Sequence, residues 1–141
     1  MDARDARRAI GKPLVVLCST DPVLSGVLAR NLERRGFAVQ QLHWEPCHVA
    51  PPANLPSKPD LVIADLDCRV ADRWLAISRL DRYFPSVPVV VLDYDRPDAG
   101  QLESWLPYHF LRKPLGVRDL LRLIDELTAA TKDPDDGDIS S

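Results

Sequence analysis

Two short apolar runs in this chain each end in a carboxylate: PDLVIAD delivers Asp65 and VPVVVLD delivers Asp93. A third run, PLVVLC, leads into Ser19, Thr20 and Asp21, and FLRKPL carries Lys113. If the runs are strands of one parallel sheet, their ends bring acids, hydroxyls and an ammonium to the edge where α/β proteins build their sites. Asp67, two residues beyond Asp65, could offer an oxygen to a cation. Each acid also has a plainer reading. Asp67 and Asp93 fit ordinary loop caps, and Asp21, followed by Pro22, is well suited to start a helix.

Other reactive side chains carry less. His43, Cys47 and His48 surround a proline-rich stretch but have no fourth ligand at a recognisable spacing, so they do not spell a metal site. Cys18 lacks a positioned base to make it a nucleophile. Trp74, Phe84 and Trp105 fall at helical positions, where aromatics serve packing more often than recognition. The three cysteines, Cys18, Cys47 and Cys68, form neither a disulfide framework nor a redox pair and fit a reducing compartment.

The elements that must position these groups follow from periodicity. Pro13–Cys18 is apolar without alternation, the mark of a strand buried on both faces of a parallel sheet. Asp21 and Pro22 then open a helix with Leu24, Val27, Leu28 and Leu32 on one face, and Gly36 stops it after Arg34 and Arg35. FAVQQLHW, with its glutamines, suits a strand nearer the sheet edge. EPCHVAPPANLPSKP holds five prolines and cannot be a regular helix, so the second helix of the pattern is expected to be shortened or absent.

The strand ending at Asp65 comes next, then a helix with Trp74, Ile77, Leu80 and Phe84 on one face up to Pro85. VPVVVLD is the fourth strand. Residues 98–106 allow a short helix and YHFLR a fifth strand, and Val117, Leu120, Leu121, Ile124 and Leu127 stripe a last helix. Strands alternating with helices predict an α/β fold: a flavodoxin-like, doubly wound five-stranded parallel sheet in the order 2-1-3-4-5.

Composition sets outer bounds. The chain has 141 residues, 45% hydrophobic and 28% charged, which is the size and make-up of one soluble domain. No apolar run approaches the roughly 20 residues of a membrane span, and the first residues do not resemble a secretory signal. A cytoplasmic protein is expected. The net charge of −3 resides in the acidic tail after residue 131, leaving 17 basic against 17 acidic side chains elsewhere. Nothing marks a nucleic-acid binder.

From Lys12 to about residue 131 the chain resembles the receiver domain of two-component response regulators. PDLVIADL matches the strand that ends in the phosphoacceptor aspartate, VPVVVLDY the fourth strand, and FLRKPL the fifth with its Lys-Pro pair. The resemblance divides the chain into an N-terminal arm (1–11), a receiver-like domain (12–131) and a disordered acidic tail (132–141). It implies Asp65 at the phosphoacceptor position and Lys113 at the position that pairs with phosphoryl oxygens. It also implies Phe110 at an aromatic switch position and a cis Lys113–Pro114 bond.

Two departures stand out. Where the family carries an acidic pair for Mg²⁺, this chain has Ser19 and Thr20, and hydroxyls are poor substitutes for two charges. Asp93 stands where the family has a serine or threonine switch. A carboxylate cannot donate the switch's hydrogen bond and repels a phosphoryl group. Lys113 is expected to bridge Asp65 and Asp93, so that the pocket satisfies itself.

The expectation is therefore a degenerate pseudo-receiver: not an enzyme, without a cofactor, acting as a protein–protein interaction module independently of phosphorylation. The alternative is a receiver still phosphorylated on Asp65, with Mg²⁺ held by the substitute ligands Asp21 and Asp67. A small flavodoxin-like enzyme or nucleotide binder is weaker, because CSTDPVLSG is not a glycine-rich phosphate loop. Output is expected through the domain's own surface, with no separate output domain expected. The expected docking face is the fourth helix, fifth strand and fifth helix, taking a second copy or a protein partner. A histidine kinase is a further candidate, and neither nucleic acid nor membrane is expected.

Overall fold

Five short strands form one parallel sheet: β1 (Leu14–Cys18), β2 (Ala38–Leu42), β3 (Leu61–Asp65), β4 (Val89–Asp93) and β5 (Tyr108–Arg112). Their order is β2-β1-β3-β4-β5, as the alternation of elements predicts. Among the described residues three helices accompany them: α1 (Pro22–Arg34), α2 (Arg73–Tyr83) and α3 (Val117–Ala130). This is a computed structural model, and it describes residues 11–46, 51–53, 55–56, 58–66, 72–93, 108–114 and 116–130. The terminal arm and tail and the expected helix at 98–106 lie outside the described residues. Among the described residues no helix is long and apolar enough to cross a membrane.

The non-alternating runs are buried on both faces, because β1, β3 and β4 sit in the middle of the sheet and every residue in them is buried. Alternate side chains build two cores. Val15, Leu17, Leu61, Ile63, Val90 and Leu92 face one way and meet Leu28 and Leu32 of α1 and Leu120, Leu121 and Ile124 of α3. Val16, Cys18, Val62, Ala64, Val89 and Val91 face the other way and meet Ala76, Ile77 and Leu80 of α2. β2, with its two glutamines, is an edge strand and only part-buried.

Local chemistry sets the helix ends. Asp21 Oδ1 accepts from the backbone N–H groups of Val23 (3.0 Å) and Leu24 (3.2 Å), and Pro22 takes the first helical position. Gly36, with φ of 92°, turns the chain out of α1 in a conformation that a side chain disfavours. The inward stripe of α2 is Arg73, Ala76, Ile77 and Leu80, with Phe84 buried just beyond the helix. Trp74, expected on that stripe, is 51% exposed. One residue on from Arg73 is about 100° around the helix, which carries the indole out of the buried face.

The connection from β2 to β3 has no helical residue among those described. Side chains of the described residues pack on the sheet there. Trp44 is buried and meets Tyr83 edge-on, with ring centroids 6.3 Å apart. Arg79 Nη1 donates to the Pro46 carbonyl at 2.6 Å, and Leu55 packs on the same core. At the far edge Tyr108 donates to the Ile77 carbonyl at 3.4 Å. Burial, with Asp81 adding, pushes its phenol up to about 12.

Two predictions follow from this packing. Trp44→Ala removes the buried indole of this connection, and we expect it to lower the unfolding free energy by about 3–5 kcal/mol in urea titration; a loss below about 1 kcal/mol would show that the sheet is covered without it. His109, half-buried on β5, has its pKa lowered by burial. Its folded pKa lies below the unfolded one, so the stability tied to the ring is complete above about pH 6.5 and is lost as pH falls through the folded value. The urea midpoint should fall between pH 7 and pH 5.5, less steeply in His109→Gln, and equal slopes in the two proteins would exclude the histidine as the cause.

Candidate functional site

The carboxyl ends of the strands lie level, so the side chains just past them share one crevice. Cys18 pairs with Ala64, Asp65 with Leu92, and Asp93 with Arg112. Asp65 is buried at 7% exposure, and both of its oxygens are engaged. Oδ1 accepts from Lys113 Nζ at 2.7 Å, and Oδ2 accepts from Ser19 Oγ at 2.8 Å. The Ser19 oxygen in turn accepts from the Asp21 N–H at 3.0 Å. A carboxylate leaving water needs such donors, and charge-assisted bonds of this length are strong ones.

Lys113 does more than hold Asp65. Its ammonium also donates to the Leu66 carbonyl at 2.8 Å, and its backbone N–H donates to the Asp93 carbonyl at 2.8 Å. The residue thus ties β5 to the ends of β3 and β4. The Lys113–Pro114 bond is cis, as the resemblance implied.

The cation on the Asp93 side chain was not foreseen. Arg73 Nε donates to Asp93 Oδ2 at 3.2 Å, with both side chains about 5% exposed. The expectation that Lys113 bridges the two carboxylates is corrected accordingly: its ammonium pairs with Asp65, it reaches Asp93 through the backbone, and Arg73 supplies the counter-charge there. Two buried carboxylates therefore meet two buried or nearly buried cations. One sequence signal pointed to Arg73, since it precedes Ala76, Ile77 and Leu80 at three, four and seven residues and so falls on the inward stripe.

The remaining site candidates separate. Thr20 is exposed. Phe110 is buried in the core of the α2 face, among residues such as Val91 and Tyr108. Asp21 spends one carboxylate oxygen on the cap of α1. Cys18 is fully buried, which pushes its thiol well above the ordinary value, with Glu45 adding to the rise, and makes it a poor nucleophile. His43 is exposed, and Cys47, His48, Asp67, Cys68 and Trp105 lie outside the described residues.

Magnesium takes oxygen ligands in a near-ideal octahedron and favours carboxylates; among the described residues Asp65 has both oxygens engaged and its neighbour on β1 is a hydroxyl, while Asp67 lies outside them. Among the described residues no three acids, histidines or cysteines gather to hold a metal.

No protein-family model matches the chain, and no curated protein matches it in sequence. Solved structures match it in fold. The receiver domain of HemR from Leptospira biflexa is 19% identical, with a TM-score of 0.64 over 86% of this chain and 98% of that one. A two-component response regulator from Clostridium difficile is 17% identical, with a TM-score of 0.64 over 86% of this chain and all of the other. The beryllofluoride-activated NtrC receiver domain is 15% identical, with a TM-score of 0.65 over 86% and 98%. In strand order, helix placement and extent, this chain has the fold of response-regulator receiver domains.

Proposed function

We propose that the chain is a receiver-type module of two-component signalling that works as a protein-interaction domain without being phosphorylated. One observation carries this reading: both oxygens of Asp65 are already bonded, to Lys113 and to Ser19. Phosphoryl transfer to a carboxylate requires a free oxygen lone pair aimed at phosphorus and a divalent cation to neutralise the incoming charge. Lys113 and Ser19 compete for the lone pairs that the transfer needs, and the residues beside Asp65 at the end of β1 are Ser19 and Thr20 rather than an acidic pair.

The position that would report the new charge is occupied too. Asp93 is an acceptor already paired with Arg73, and a phosphoryl group would bring more negative charge toward it. The module is thus not an enzyme and needs no cofactor. Its signal is its surface. β5 and α3 contribute to the face expected to meet a protein partner or a second copy; the segment 98–106, which would complete that face, lies outside the described residues. A histidine kinase is one protein that such a surface would suit, and the cytoplasm is where the module would meet it.

Incubation with a small-molecule phosphodonor and Mg²⁺ followed by intact-mass analysis tests the reading. We expect no phosphoryl adduct. A stoichiometric adduct that disappears in Asp65→Asn would establish the alternative, a receiver still phosphorylated on Asp65. In a Mg²⁺ titration followed by NMR, the amides of Ser19, Asp65 and Leu66 should stay unmoved through low millimolar metal. Saturable shifts there would mean that the serine and the lysine yield to the ion.

A further inference from the structure

We propose that Arg73 is a built-in latch, whose pairing with Asp93 fixes the end of β4 to the first turn of α2 and holds the pocket in a single conformation. The placement of this arginine is unfavourable in itself. It sits in the first turn of a helix, at the positive end of the helix dipole, with no acidic residue in that turn and no side-chain hydrogen bond from the cap residue Asp72. It is also 4% exposed, and a buried guanidinium persists only when a carboxylate accepts from it. Asp93, equally buried, meets that requirement.

What the pair holds is the hinge of the site. Asp93 is the last residue of β4, and its carbonyl anchors the backbone of Lys113, whose ammonium closes on Asp65. Any second arrangement of the β4 end has to pull a buried carboxylate away from a buried guanidinium, and breaking a buried ion pair is destabilising. The alternative state is therefore sparsely populated, and the shape around Asp65 is permanent rather than induced. The functional meaning of this permanence rests on the reading of a phosphorylation-independent module; the latch itself is a separate physical claim.

NMR relaxation dispersion, which detects microsecond-to-millisecond exchange, tests it. In the wild-type chain the amides of Leu66, Asp93 and Lys113 should show no exchange contribution. In Arg73→Gln, exchange should arise at these amides and at Trp74 and Leu75, while β1 and β2 stay quiet. Arg73→Lys, which restores the charge, should reduce it. Exchange already present in the wild type, none in the variant, or exchange spread equally over Leu14–Cys18 and Ala38–Leu42 would each overturn the latch. Should the single variant not fold, the neutral pair Arg73→Gln with Asp93→Asn leaves no lone buried charge and is read by the same criteria. A phosphoryl adduct on the wild-type chain would sink the interaction-module reading and leave this measurement to decide the latch alone.

Discussion

The carboxylate of Asp65 is the point to which this end of the molecule is tied. Buried at the end of a central strand, it has to be met by donors, and the donors come from different segments: an ammonium from the end of β5 and a hydroxyl from the end of β1. Each donor is then fixed by a further bond. Ser19 accepts from the backbone that starts α1, and Lys113 is held through its N–H to β4 and through its ammonium to the carbonyl after β3. Satisfying one buried charge thereby aligns the ends of four strands and the start of a helix.

Charge balance distinguishes this pocket from one built to recruit an ion. A cluster with excess carboxylates is stable only when something positive enters it, so it responds to metal and to phosphate. Among the described residues the two buried carboxylates each pair with a cation, which is the basis for proposing that nothing need enter. Such pairs contribute little net stability compared with apolar residues of the same volume. Their effect is to specify geometry, since a repacked pocket would have to break these buried bonds.

Much of this was legible in the sequence because it rests on short-range rules. Non-alternating apolar runs announced central strands, Asp21-Pro22 and Gly36 bounded a helix, and five prolines pointed to a second one shortened or absent. The strand ends then had to converge, which placed Asp65, Asp93, Ser19 and Lys113 together. The partners of individual charges were a different matter. Lys113 and Arg73 are both cations within reach of the crevice, and which of them takes which carboxylate depends on the rotation of α2 about its axis. That rotation is set by packing of Ala76, Ile77 and Leu80 against the sheet, and the same few tens of degrees moved Trp74 from the expected core to the surface.

The proline-rich cover between β2 and β3 has a further property. A helix laid on a sheet satisfies its own carbonyls and N–H groups, but each proline brings a carbonyl with no N–H to match it. A sequence with five prolines between residues 46 and 59 is therefore rich in acceptors and poor in donors, and its carbonyls take donors from water or from neighbouring side chains. α2 lends one through Arg79, whose guanidinium reaches the Pro46 carbonyl. The arginines of α2 thus serve two creditors on opposite terms: Arg73 answers a buried carboxylate, and Arg79 answers a backbone that cannot answer itself.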